Sequence, residues 1–277
     1  MSEVVIKANH LRKTFRHYKR NIQKMQHMLL LRRTGDIRNV FSDVSFEICK
    51  GEKVGIITKP GGGKTTMMRL LAGILTPEKG SVEVKGDITT LLDFRYGFDN
   101  SLTIRDNYEI RCTLLGWSRE SMKEREEEIL NFAGLSKAAD QQLRSVKSTG
   151  ANRLGFAIST YDKPDIMLFD EKLTFGGKSY TPKYMEHLKA LLLDPEVTLV
   201  MAVNRLSTAA NYCTRGIILN EGKVEFDGSY EEASAYYVEN LGATAARRKK
   251  EAEAEAEISD DGSDDGDEYS DDGGGLD

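Results

Sequence analysis

The sequence predicts an α/β protein built around a β-sheet, and two stretches carry this prediction. In the first, strand-forming residues at Val54–Ile57 run into three glycines at 61–63, and an apolar-periodic helix begins at Lys64. In the second, residues 165–171 form an apolar strand that ends in two adjacent acids. Strands that alternate with a helix in this way are typical of a sheet with helices packed on it.

The turn after the first strand has the composition of a phosphate-binding loop. Backbone N–H groups of the three glycines can surround a polyphosphate because no Cβ stands in the way, and the helix N-terminus beyond them favours an anion. Lys64 would reach the β- and γ-phosphates of a nucleoside triphosphate, and the hydroxyl of Thr65 would contact Mg²⁺. The strict pattern requires glycine at position 58, where this chain has Thr58.

The acidic pair at the end of the second strand suits the same chemistry. A buried strand would deliver Asp170 beside the glycine loop, where its carboxylate can hold the water shell of Mg²⁺. Glu171 follows and can polarise a water that attacks the γ-phosphate. Solvated acids at the end of a buried strand are also common without any catalytic role, so the pair alone leaves both interpretations open.

The remaining elements follow from the hydrophobic pattern. The pattern becomes helical from Thr103 to Ala133, a capped helix opens near Ser148, and Tyr230–Leu241 forms a last helix. Further strands are predicted at Val4–Leu11, Val40–Ile48, Ser81–Val84, Ile88–Leu92, Thr198–Val203, Arg215–Leu219 and Lys223–Phe226.

Composition is typical of a cytosolic protein. Cys49, Cys112 and Cys213 stand far apart without metal-ligand spacing, so we expect reduced thiols. The first residues lack the apolar core of a signal peptide, and no run approaches the roughly 18 apolar residues of a membrane span. We therefore expect any role at a membrane to depend on a partner.

The formal net charge of −5 combines two oppositely charged parts. Thirteen acidic and no basic residues lie beyond residue 250, which leaves 39 basic and 31 acidic residues in 1–250. The acidic end is expected to be disordered, either as a solubilising extension or as a mask for the basic body. The basic stretch 11–38 is a surface helix and loop packed on the body, a collar attracted to anionic headgroups, or a nucleic-acid contact.

Taken together, the segments resemble the ATP-binding domain of ABC transporters, in particular the polysaccharide-export type of capsular polysaccharide, O-antigen and teichoic acid exporters. The resemblance runs from residue 4 to about 241 and includes the long basic insert after Phe15. Its other segments are the glycine loop, LLDFRYGFDNSLTIRDNYEIRCTLLGWSRE at 91–120, KSTGANRLGFAIS at 147–159, DEKLTFGG at 170–177 and NRLSTAANYCTRGIIL at 204–219.

The resemblance implies a P-loop NTPase fold with a mixed β-sheet core, an antiparallel β subdomain and a helical subdomain. The ATPase domain would occupy residues 1–241, with the helical subdomain at about 100–163. Residues 242–277 would form a basic and then acidic tail.

The resemblance also implies ATP and Mg²⁺ as cofactors and a role for each site residue. Phe15 would stack on adenine, Thr65 and Asp170 would hold Mg²⁺, and Glu171 would act as the general base. The phosphates would be held by Lys59, Pro60, Gly61, Gly62, Gly63, Lys64, Thr65 and Thr66.

Several partners are implied as well. Ser148 and Gly150 would contact the ATP of a second copy in a homodimer or heterodimer, and Asp93–Asn107 would receive a helix of a membrane permease. The protein would then work at the cytoplasmic face of the inner membrane, with no nucleic acid expected. An ABC protein that acts on DNA or ribosomes is disfavoured because the chain has neither paired cassettes nor a long coiled coil.

Departures from the family pattern cluster at the site. Thr58 replaces the first loop glycine, Thr149 stands inside the signature turn, Gly177 replaces an aspartate, and Asn204 stands where a catalytic histidine is expected. The loop 93–99 has no glutamine. Asn204 can donate a hydrogen bond but cannot carry charge, which leaves two hypotheses: an exporter ATPase, or a degenerate subunit that binds ATP without hydrolysing it.

Overall fold

The computed structural model describes residues 3–17, 36–146, 148–170 and 181–242. The chain divides into two compact units, Met1–Ser234 and Ala235–Asp277. The basic insertion at 18–35, residues 171–180 with Glu171 and Gly177, and residues 243–277 lie outside the described residues. Sequence expectations for these three segments therefore stay predictions.

Nine strands are found in the described ranges, and all nine belong to one sheet. Their bounds are β1 Val4–His17, β2 Asp36–Cys49, β3 Lys53–Thr58, β4 Lys79–Val84, β5 Ile88–Leu91, β6 Ile166–Asp170, β7 Thr198–Ala202, β8 Arg215–Asn220 and β9 Lys223–Ser229.

Seven α-helices are found over the same ranges. Their bounds are α1 Lys64–Leu71, α2 Ile104–Leu114, α3 Arg119–Ala133, α4 Ser148–Ser159, α5 Thr181–Leu193, α6 Leu206–Ala209 and α7 Tyr230–Tyr236, and a π-helical turn at Tyr237–Leu241 follows α7. None of these described helices combines the length and apolar character that a bilayer crossing demands.

The sheet is mixed, with the strand order β4-β1-β2-β9-β8-β3-β7-β6-β5. Strands β4, β1 and β2 pair antiparallel at one end, whereas β8, β3, β7, β6 and β5 run parallel at the other. The hairpin of β8 and β9 joins the two halves through one parallel pair, Asp43 with Lys223. The α/β fold with a mixed core and an antiparallel portion, predicted from the sequence, is thus confirmed.

Burial explains why the central strands are easy to recognise. Every residue of β3 and of β7 is buried, and so are the first four residues of β6. Parallel strands covered on both faces read as continuous apolar runs, which is the pattern that these segments show. One hydrophobic core packs α1 against this sheet through Met67, Met68, Leu70 and Leu71.

Helices α2, α3 and α4 share a second hydrophobic core, which lies within the first unit. Tyr108 of α2 is fully buried in it and donates a hydrogen bond to the carbonyl oxygen of Met122, 2.7 Å away. Burial raises the pKa of Cys112 to about 12, so this thiol stays protonated and unreactive. The helical segment thus packs largely on itself.

The structure differs from the sequence prediction in the extent of β1 and β2 and in one helix, and it adds the strand order, for which the sequence made no prediction. Strand β1 continues six residues past the predicted end at Leu11, and β2 begins four residues before Val40, because the two strands pair with each other over this extra length. Strands β4 and β5, adjacent in sequence, lie at opposite ends of the sheet. Helix α5 was not predicted.

Gly155 lets helix α4 lie directly on the chain that follows β5. A Cβ at this position would clash with the backbone carbonyl of Phe94, and backbone cannot rotate away as a side chain can. The Phe94 ring also meets the Phe156 ring edge-on, with centroids 5.8 Å apart. The position therefore requires glycine despite its place in the interior of a helix.

We predict that Gly155→Ala destabilises the protein, although the same change in an open helix stabilises it by about 1 kcal/mol. The clash with Phe94 should cost about 2 kcal/mol net, as overpacking does elsewhere. Denaturant unfolding measures the change in free energy. Gly150→Ala in the same helix is the matched control, because its Cβ would meet a side chain, that of Val146, rather than backbone. An unchanged or higher stability for Gly155→Ala would contradict the clash.

Candidate functional site

The glycine loop connects β3 to α1 and needs its glycines for two separate reasons. Gly61 and Gly63 have φ angles of 76° and 100°, which residues with a Cβ rarely adopt. In addition, a Cβ at Gly63 would stand 2.9 Å from the ring of Phe41 in the core. Helix α1 then begins at Lys64, with its first backbone hydrogen bond running from the N–H of Met67 to the carbonyl of Gly63.

Thr58, which replaces a loop glycine, is buried and bonded within the loop. Its hydroxyl donates to the carbonyl of Lys59 at 2.8 Å. A Cβ at Gly62 would stand 2.9 Å from the Cβ of Thr58 and 3.0 Å from its hydroxyl oxygen. The side chain of Thr58 therefore occupies space beside position 62, which leaves room there only for glycine.

Lys64 folds back over the end of β3. Its ammonium donates to the carbonyl of Thr58 at 3.3 Å and lies 3.5 Å from the Thr58 hydroxyl. The neighbouring Thr65 is exposed on the first turn of α1, as are Lys59 and Pro60 on the loop itself, while Thr66 is half-buried. The loop and the start of α1 thus place a cation and a hydroxyl close together at the end of β3.

Strand register brings the second acidic stretch to this end of the sheet. Ile56 of β3 pairs with Ala202 of β7, and Ala202 pairs with Asp170 of β6, so the three residues form one row across parallel strands. Neighbouring strands lie about 4.8 Å apart, which puts the backbones of Ile56 and Asp170 about 10 Å from each other. Strand β3 ends at Thr58, two residues beyond Ile56, so the loop and Asp170 leave the sheet at the same edge.

Asn204 joins Asp170 at this edge. Its amide nitrogen donates to a carboxylate oxygen of Asp170 at 3.3 Å and to the carbonyl of Ala202 at 3.4 Å. Asp170 is half-buried, at the last position of β6. The structure therefore brings together these two predicted site residues, which lie 34 positions apart in the sequence.

Phe15 is paired across two strands with an arginine that is bonded to the loop and was not predicted as a site residue. Phe15 of β1 is opposite Arg38 of β2, and the guanidinium of Arg38 donates to the carbonyl of Gly61 at 2.7 Å. The Phe15 ring is 40% exposed, with the ammonium of Lys13 5.5 Å from its centroid. Arg38 could have been found only from the register of β1 on β2, because its position in the sequence is 23 residues from Phe15.

Ser148 and Gly150 belong to α4, which packs in the helical core rather than on β3. The backbone of Ser148 begins the helix, and Gly150 is buried in its first turn. Helix α4 contacts α2, α3 and the Phe94 backbone. The contact of Ser148 and Gly150 with the nucleotide of a second copy stays a prediction.

Two buried polar side chains of α2, which were not predicted as site residues, bind the backbone of residues 96–103. Asn107 donates to the carbonyls of Asp99 and Thr103, at 2.9 and 2.7 Å. Arg111, 5% exposed, donates to the carbonyl of Tyr96 at 3.0 Å and to the hydroxyl of Ser159 at 3.3 Å. Burial lowers the pKa of Arg111 from its ordinary value, yet a guanidinium stays charged at neutral pH.

A divalent ion at this edge would have few protein ligands. Over the described residues, no group of three or more His, Cys, Asp or Glu side chains is arranged to hold a metal. Thr65 and Asp170 offer one hydroxyl and one carboxylate, the hard oxygen donors that Mg²⁺ prefers. Such a pair fits Mg²⁺ that keeps its waters and takes further ligands from a polyphosphate.

Comparison with known proteins decides the family. The chain is 32% identical over 195 residues to the O-antigen export system ATP-binding protein of Klebsiella pneumoniae, and the match covers 70% of this chain and 79% of that protein. The chain belongs to the ABC transporter ATP-binding family. The family model for ABC transporters matches residues 41–174. The membership predicted from the motifs is confirmed.

Two further likenesses agree with this membership. The chain is 31% identical to the teichoic acids export ATP-binding protein of Bacillus anthracis, covering 85% of this chain but only 43% of that protein. This chain thus spans less than half the length of that relative. Among solved structures, a dimeric ATP-binding cassette bound to ADP and Pi superposes with a TM-score of 0.59 at 20% identity, covering 81% of this chain and 98% of that one.

We predict that Gly62→Ala weakens nucleotide binding in this ABC protein and that Thr58→Gly in the same chain partly restores it. Alanine at 62 would overlap the Cβ of Thr58, which glycine at 58 lacks. Overpacking costs about 1 to 3 kcal/mol, which corresponds to a loss of roughly 5-fold to 150-fold in affinity if the whole cost falls on binding. Titration with a fluorescent ATP analogue measures the two single variants and the double variant. Strictly additive effects would contradict a steric coupling between these positions.

Proposed function

We propose that the protein is the ATP-binding subunit of an ABC exporter for a cell-surface polysaccharide, and that it couples ATP binding and hydrolysis to a separate membrane permease. The observation that carries this proposal is the shared edge of the sheet, where the glycine loop meets Asp170 and Asn204. The O-antigen and teichoic acid export relatives support the choice of a polysaccharide as cargo.

Nucleotide binding follows from the loop and its neighbours. The backbone of residues 59–66 would surround the phosphates, and the Lys64 ammonium would leave the Thr58 carbonyl to meet them. Phe15, which is exposed and lies opposite the arginine bonded to the loop, would stack on the adenine. Thr65 and Asp170 would hold Mg²⁺, which would neutralise charge on the phosphates.

Hydrolysis would depend on the residues beyond β6 and β7. Glu171 would take the proton of the attacking water, because it follows directly on Asp170 in the sequence. Asn204 would help to orient the Asp170 carboxylate through its hydrogen bond to it. Asparagine cannot carry the positive charge of the histidine found in the family. We therefore expect ATP hydrolysis to be slower than in family members that have the histidine.

We further propose that two cassettes bind two ATP molecules between them, with Ser148 and Gly150 facing the nucleotide of the other copy. The permease would dock beside the loop 93–103 and the start of α2, at the cytoplasmic face of the membrane. Exposed apolar side chains next to this loop support docking there: Tyr96 is 65% exposed and Leu114 is 56% exposed. Helix α2, which carries Leu114, shares its core with α4 and so links the two surfaces.

One observation favours a second candidate, a degenerate subunit that binds ATP without turning it over. The Asn204 amide donates hydrogen bonds to Asp170 at the end of β6 and to the carbonyl of Ala202 at the end of β7. It thus links the ends of these two strands. A subunit of this kind would close on ATP and act as a structural or regulatory partner. Measured turnover separates the two candidates.

We predict that Glu171→Gln lowers ATP hydrolysis at least about a hundredfold while ATP affinity stays within about twofold of wild type, because glutamine cannot accept the proton. Steady-state phosphate release and titration with a fluorescent ATP analogue give the two quantities. Lys64→Ala is the control that should lose binding itself. Wild-type binding with no phosphate release would instead favour the degenerate subunit.

We predict that Asn204→His raises the hydrolysis rate about tenfold. An imidazole can carry charge and can contact both the γ-phosphate and the attacking water, whereas asparagine can only donate an uncharged hydrogen bond. Initial rates at saturating Mg-ATP measure the effect. Asn204→Ala serves as the control for simple loss of the bond to Asp170. A rate for Asn204→His at or below that of the alanine variant would show that position 204 does not limit turnover.

A further inference from the structure

Arg38 lies between the aromatic ring proposed for adenine and the loop proposed for the phosphates. Residues that pair across antiparallel strands point to the same face of the sheet, so Phe15 and Arg38 share one face. From that face the Arg38 guanidinium reaches the Gly61 carbonyl at 2.7 Å. Arg38 therefore stands between Phe15, the proposed contact of the base, and Gly61 of the phosphate-binding loop.

The peptide between Gly61 and Gly62 is held at both ends. Its carbonyl accepts the hydrogen bond from Arg38, and its N–H donates to the carbonyl of Lys59 at 2.9 Å. A trans peptide is planar, so these two bonds fix the orientation of the whole unit. Gly61 has a φ of 76° and no Cβ, and without such a hold this part of the loop would sample many conformations.

We propose that Arg38 is a positioning residue for the nucleotide, which fixes the Gly61 peptide and adds a positive charge beside the polyphosphate. The inference rests on the proposed binding of ATP. A guanidinium carries five N–H donors in a planar fork, so its bond to Gly61 leaves capacity to face a phosphate oxygen. Arg38 is exposed, so a nucleotide can reach it.

The ligand class follows from this placement. A nucleoside that lacks phosphates would meet Phe15 but would gain little from Arg38. A nucleoside diphosphate or triphosphate would gain from the fixed loop and from the charge, because charge-assisted hydrogen bonds to phosphate are about twice as strong as neutral ones. Arg38 should therefore discriminate between phosphorylated and unphosphorylated nucleosides.

The test compares Arg38→Met, which keeps the length of the side chain without charge or donors, with Arg38→Lys and with Arg12→Met. Arg12 is an exposed arginine of β1, and its replacement removes the same charge from the body. Binding of adenosine, ADP and ATP is measured for each variant, together with KM and kcat for ATP. Thermal unfolding of each variant reports whether its fold is retained.

We expect Arg38→Met to weaken ADP and ATP binding about tenfold, to raise KM to the same degree and to leave kcat and adenosine binding unchanged. Arg38→Lys should recover affinity to within about threefold, and Arg12→Met should behave as wild type. Unchanged ATP affinity in Arg38→Met, or an equal loss for adenosine, would overturn the inference while leaving the proposed function standing. A wild-type protein that binds no ATP would overturn both.

Discussion

The site depends on the register of three parallel strands. Ile56, Ala202 and Asp170 form one row, and the glycine loop and Asn204 follow in the chain just beyond it. The buried side chains of β3, β6 and β7 fix this register, because both faces of these strands are packed and a strand that slid along its neighbour would leave cavities and overlaps in the core. Core packing, rather than any bond within the site, thus sets the distance between loop and carboxylate.

Two residues that depart from the family pattern, Thr58 and Asn204, fit their surroundings through specific local contacts. Thr58 is accommodated because position 62 has no Cβ, and its hydroxyl is bonded inside the loop. Asn204 keeps a hydrogen bond to Asp170. Both substitutions are built into the local packing, so the edge of the sheet stays ordered although the residue types differ. Such an arrangement preserves nucleotide binding more readily than it preserves the rate of hydrolysis, which requires charge placed at the reacting atoms.

The sequence was most informative where local pattern and structure coincide. Strands β3, β6 and β7 were predicted because both of their faces are buried, and the glycine loop was predicted because its backbone admits few other residues. Pairing between distant strands leaves no such trace. The separation of β4 from β5 and the position of Arg38 opposite Phe15 both depend on partners that periodicity does not reveal. Arg111 and Asn107 were missed because a polar residue on a helix usually faces water.

The loop 93–99 and helix α4 form one packed body. Gly155 places the helix against the Phe94 backbone, and Arg111 joins the Tyr96 carbonyl to Ser159 at the end of that helix. Closely packed protein interiors transmit displacement rather than absorb it. We therefore expect a shift of this loop to move α4 with it, including the turn that carries Ser148 and Gly150. A surface beside Tyr96 and a nucleotide at the start of α4 would then be coupled through backbone contact and one buried guanidinium.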